Sequence, residues 1–207
     1  MQNNAPLGLQ GDQMKKLSVL VASVLAAAFA SAAIASPASA TVFCSTAPAN
    51  HICPSAYGIG TPFKASLEPG TSLVIKGGYA TANCKKSELI GSVSGAYRLT
   101  YSSGTSSECG VATVETFARG LTAFWNEGTH DGSVYQSIEW VVKANGSTCV
   151  YGPAGTEGQT ITGGNPAKLK INIWAKKLTG DPFCANPASV TATYLVNSPA
   201  PFYVEKE

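Results

Sequence analysis

The sequence predicts an all-β fold: a single antiparallel β-sandwich, immunoglobulin-like or jelly-roll-like, stabilised by disulfides. Three observations predict it. Apolar and polar residues alternate with period two in run after run, turn signals separate the runs, and all six cysteines follow an N-terminal segment built like an export signal. No stretch beyond that segment carries an apolar stripe at helical spacing.

The first element is the segment itself. Met14-Lys15-Lys16 is a basic start, Leu17 to Ala35 is uncharged and apolar, and Ala38-Ser39-Ala40 is a small-x-small cleavage site. Basic, apolar and small-residue regions in that order describe a secretory signal peptide. A membrane anchor is the rival reading, but the stretch is mostly Ala and Ser and ends in a cleavage site. Phe43 before Cys44 argues against a lipoprotein. Residues 1–13 read as an upstream start-codon extension. The expected division is therefore a signal region over 1–40 and one secreted domain over 41–207, with no membrane span after cleavage.

The domain that remains is close to neutral, which gives no electrostatic footprint for nucleic acid or an anionic membrane. Gly, Ser, Thr, Ala and Val dominate it, as in β proteins. An even number of cysteines in an exported chain reads as three disulfides. Pairing neighbours gives Cys44–Cys53, Cys84–Cys109 and Cys149–Cys184. Cys44, His51 and Cys53 are the alternative metal ligands, but no C-x2-C pair supports a zinc site.

The strands follow in order. Phe63, Ala65 and Leu67 alternate with Lys64, Ser66 and Glu68, and Leu73 and Ile75 continue after the turn Glu68-Pro69-Gly70. Tyr97, Leu99 and Tyr101 form the next face. Val134, Gln136, Ile138, Trp140 and Val142 share one side of a long strand. Leu169, Ile171, Ile173 and Ala175 alternate with Lys168, Lys170, Asn172 and Trp174. Val190, Ala192, Tyr194 and Val196 alternate with Thr191, Thr193, Leu195 and Asn197. One hairpin can be set in register. Asn145-Gly146 favours a type I′ turn, because both central residues need positive φ. That turn pairs Ala144 with Ser147, Val142 with Cys149 and Trp140 with Tyr151. Cys149 then faces the core. The sequon Asn145-Gly146-Ser147 would be glycosylated only in a host with that pathway.

Candidate chemistry is sparse. Asn126, Glu127, Thr129, His130 and Asp131 form the densest polar cluster. A histidine beside two carboxylates suits acid/base work or, through its oxygens, a cation. A solvated loop between Gly128 and Gly132 explains the same residues and is the commoner case. There is no G-x-S-x-G or H-E-x-x-H, so no catalytic residue, metal ligand set or cofactor is assigned. His51 is expected at the surface. The Gly-rich stretch 152–164 lacks the ending of a phosphate loop. Trp174 falls on the Lys/Asn face of its strand, and Leu195 breaks a polar face. Either residue can serve as a platform for a ligand, or the tail Pro199, Pro201, Phe202 and Tyr203 can cover them. The second arrangement is the expected one.

Gly163-Gly164-Asn165-Pro166-Ala167 followed by Leu169 and Ile171, the step Cys149-Val150-Tyr151-Gly152, and the ending from Ser198-Pro199 to Tyr203-Val204 carry a resemblance. The C-terminal half is similar to small secreted bacterial proteins, chiefly actinobacterial and β-rich, a group with no assigned activity. The resemblance implies a secreted β-domain and supplies no catalytic residue. The expected function is a non-enzymatic extracellular or envelope-associated binding or structural module. Its contact residues would be Trp174, Leu195, Glu127, His130 and Asp131, meeting an extracellular or envelope ligand. The alternatives are a carrier of a small apolar ligand between sheets and a polysaccharide hydrolase using two facing carboxylates.

Overall fold

The computed structural model describes residues 40–152 and 158–207, all within the compact unit Ala40–Glu207. The signal-peptide reading and residues 153–157 of the Gly-rich stretch lie outside the described residues. Within them every regular element is a strand and every strand pairing is antiparallel. The strands are β1 (Thr41–Cys44), β2 (Pro62–Leu67), β3 (Leu73–Gly78), β4 (Ala80–Cys84), β5 (Lys86–Gly95), β6 (Arg98–Ser107) and β7 (Thr113–Trp125). They continue with β8 (Gly132–Ala144), β9 (Ser147–Gly152), β10 (Gln159–Thr162), β11 (Ala167–Gly180), β12 (Cys184–Ser198) and β13 (Tyr203–Lys206).

The pairings do not separate into the two sheets of one sandwich. An 11-stranded sheet runs β10-β11-β9-β8-β7-β6-β5-β2-β12-β3-β4, and β1 pairs with β13 in a 2-stranded ribbon. Several strands lie end to end. β9 and β10 follow one another between β8 and β11, and β2 and β3 do so along β12. Because β11 also pairs with β12, the pairings close on themselves into a ring. Closure leaves few free edges to template aggregation, and curling a sheet this far requires bulges. Bulges occur where it is needed, in β5–β6, β7–β8 and β9–β11.

The alternation fills the ring. Phe63, Ala65, Ile75, Leu89, Leu99, Leu121, Ile138, Trp140, Leu169, Ile171 and Tyr194 are buried. Buried phenols carry their own partners, as a dry interior demands. Tyr101 donates to Gln136 Oε1 at 3.1 Å, and the Tyr194 hydroxyl lies 3.0 Å from Ser87 Oγ. The expected hairpin has the register Ala144↔Ser147, Val142↔Cys149 and Trp140↔Tyr151, with Asn145 and Gly146 at φ 51 and 77.

The β1–β13 ribbon closes one end of the ring. Phe43 N donates to Ala96 O in the β5–β6 turn, Val204 N to His130 O in the β7–β8 turn, and Phe202 bridges Gly164 between β10 and β11. Phe43 and Phe202 meet at 4.9 Å between ring centroids, with Phe63 beneath them. At the other end lie Cys84–Cys109 and Cys149–Cys184, and Cys44–Cys53 sits with the ribbon. These are the neighbour pairings. The disulfides exclude Cys44 and Cys53 as metal ligands.

Candidate functional site: two histidines on a buried carboxylate

The chain has two histidines. They come from different segments and meet at the ribbon. His51 sits in the loop closed by Cys44–Cys53, at φ 56, and its carbonyl accepts Lys206 N at 3.0 Å. His130 ends the β7–β8 turn, where Trp125 Nε1 donates to Thr129 O at 2.7 Å and Thr129 Oγ1 to Asn126 O at 2.7 Å. Their rings stand 4.7 Å apart, flanked by Trp125 and Tyr203.

Between them is Glu205 on β13. Strand alternation puts Val204 on the Phe43 side and Glu205 on the opposite face, where a short terminal strand would normally meet water. The disulfide loop and the β7–β8 turn cover that face instead, and the Glu205 side chain is 0% exposed. His130 Nδ1 is hydrogen-bonded to Glu205 Oε1. His51 Nδ1 faces Glu205 Oε2 at 3.4 Å without forming a hydrogen bond, so both of those atoms are buried and unpartnered. The two imidazoles are 24% and 34% exposed, so the carboxylate is sealed while its partners reach solvent.

Burying a carboxylate with half its acceptor capacity unused is expensive, and a nearby cation is what offsets it. One nitrogen from each histidine and one carboxylate oxygen lie within 4.8 Å of one another. Two imidazoles and a carboxylate are a ligand set for divalent first-row ions such as zinc, with a fourth position left to solvent.

The residues singled out from sequence are distributed otherwise. Glu127 is exposed at the turn's tip. Asp131 is committed to structure, its Oδ1 accepting Gly163 N at 2.9 Å. Only His130 of that loop reaches the centre, so a simple solvated turn does not describe it. His51 is likewise not the free surface residue expected. Trp174 is 65% exposed, and the C-terminal tail does not cover it: Phe202 is buried against Phe43 and Phe63. The expected covering is thus corrected. Leu195 is half-buried opposite Lys168 and Ser66. Sequence reading missed Glu205. The one signal available was that a chain with so few histidines places one inside a disulfide loop.

Two open grooves on the sheet wall, one beside Phe117 and one beside Ser87, do not include His51, His130 or Glu205. No protein-family model matches the chain, and no curated protein or solved structure matches it either.

Proposed function

We propose that the chain is an exported, non-enzymatic binding module that holds a divalent transition-metal ion between His51, His130 and Glu205. The observation that carries this reading is the Glu205 carboxylate, fully buried with Oε2 unpartnered, facing both histidines of the chain. His51, His130 and Glu205 would hold the ion, which would supply the positive charge that the buried carboxylate otherwise lacks. Export is supported by three disulfides, which persist in oxidising compartments. It is compatible with the finding that no helix among the described residues is long and apolar enough to cross a membrane.

Calorimetric titration of the oxidised protein with zinc tests the reading. One ion per chain is expected. His51→Ala, His130→Ala and Glu205→Gln should each weaken it by at least about tenfold, by analogy with the loss of groups that support a bound metal. Absence of binding, or affinity unchanged from the parent in the three variants, would reject it.

A further inference from the structure

A second site lies on the wall of the ring and shares no residue with the metal centre. The β6–β7 ladder is regular from Arg98↔Thr122 to Thr100↔Gly120 and resumes at Gly104↔Thr116. Between those points Tyr101–Ser103 and Phe117–Arg119 have no partners across that ladder. The cause is a facing pair of bulges. β6 slips between its Tyr101 and Ser103 pairings with β5, and β7 slips between Ala118 and Gly120 against β8. Glycines make this feasible: a Cβ at Gly91 would come within 2.2 Å of Thr100 O, and one at Gly120 within 2.6 Å of Leu99 O. The strands are squeezed together at Thr100 and part just beyond it.

An open groove of about 390 Å³ occupies the parting. That is within the range of small-ligand sites. Curling the sheet accounts for the bulges. It does not account for what lines the groove. Phe117 is 52% exposed there, an apolar ring left in water in mid-sheet. Beside it Arg119 Nη2 and Glu139 Oε1 stand 3.7 Å apart, and Ser102, Ser103 and Thr116 also line the groove.

We propose that this groove binds a neutral saccharide chain of equatorially linked pyranose rings. The paired Arg119 and Glu139 cancel each other's charge and so select against an ionic ligand. Together they offer donors and an acceptor side by side, which suits vicinal hydroxyls that both donate and accept. Phe117 supplies a flat face for the axial C–H groups of a pyranose ring. An equatorially linked chain is ribbon-like and lies along an open sheet wall, where a helical one does not.

The test is calorimetry with cellotetraose and chitotetraose, using maltotetraose as the helically coiled comparison, on protein treated with EDTA. Saturable binding of at least one β-linked tetramer, with maltotetraose at least about tenfold weaker, is expected. Phe117→Ala should reduce affinity by at least about tenfold, in the range of an aromatic anchor. Glu139→Gln should also weaken binding, and both variants should keep the parent melting temperature. Failure of both β-linked tetramers to bind at millimolar concentration, or full binding by Phe117→Ala, would overturn the proposal. Loss of binding on EDTA treatment alone would overturn it too, because the sugar would then depend on the metal centre.

Discussion

The two ends of the ring are closed by different chemistry. At one end Cys84–Cys109 and Cys149–Cys184 join strand ends covalently, with Tyr79 and Phe183 packed edge to face outside them. Among the described residues no cluster of ligating side chains lies there. At the other end a single short-loop disulfide is joined by a ribbon, two histidines and a buried carboxylate. Covalent closure stabilises without burying charge. The ribbon end retains a buried charge that apolar packing would replace at equal or greater stability. On the reading proposed above, the ribbon end would hold the metal and the opposite end would serve stability alone.

That contrast can be broken in graded steps. The largest effect should come from Cys149→Ser with Cys184→Ser. Removing this buried bridge should lower unfolding free energy by about 2–5 kcal/mol in denaturant titration, without altering zinc affinity per folded molecule. Next is the metal itself. Zinc at about a hundredfold excess over its dissociation constant should stabilise the parent by about 2.7 kcal/mol, and His51→Ala should lose about half of this or more in thermal unfolding. Asp131→Ala removes the acceptor of Gly163 N and should cost about 0.5–1.5 kcal/mol while leaving zinc binding in place.

Alkaline pH tests the interior between the ends. Burial pushes the Tyr194 hydroxyl up to about 12, and its hydrogen bond with Ser87 only partly opposes this. Burial likewise raises Tyr101, with Tyr194 adding to the rise. The unfolded chain ionises near the ordinary value of 10.0 while the folded chain holds the proton. Stability is therefore fully present below that value and falls as pH rises towards about 12, which unfolding midpoints will follow. The smallest effect is expected for Trp174→Ala. An uncovered residue should change stability by no more than about 0.5 kcal/mol, and a large loss of melting temperature would show that something covers it.

Much of the fold was legible because it is local. The Asn145-Gly146 turn sets its own register, and alternation marks the buried faces of β8, β11 and β12 without knowledge of their neighbours. Ring closure was not legible: it depends on β11 reaching both β9 and β12, and bulges that break the period of two make it feasible. The cluster of His51, His130 and Glu205 was the least legible part. Glu205 and His130 are 75 residues apart, and the burial of Glu205 is imposed by a loop from the start of the domain. Nothing in a four-residue strand at the chain's end announces that cover. Trp174 shows the converse: its exposure followed from strand parity alone, and only the expected cover was misplaced.

The most direct test of the proposed metal centre is X-ray absorption at the zinc edge on the oxidised, zinc-loaded chain. The spectrum should contain the multiple-scattering pattern of two imidazoles, with nitrogen and oxygen scatterers at about 2.0–2.2 Å and no sulfur shell, and one imidazole should vanish in His51→Ala. A spectrum with a sulfur shell at about 2.3 Å, or with oxygen neighbours alone, would contradict the assignment of His51, His130 and Glu205 as the ligands.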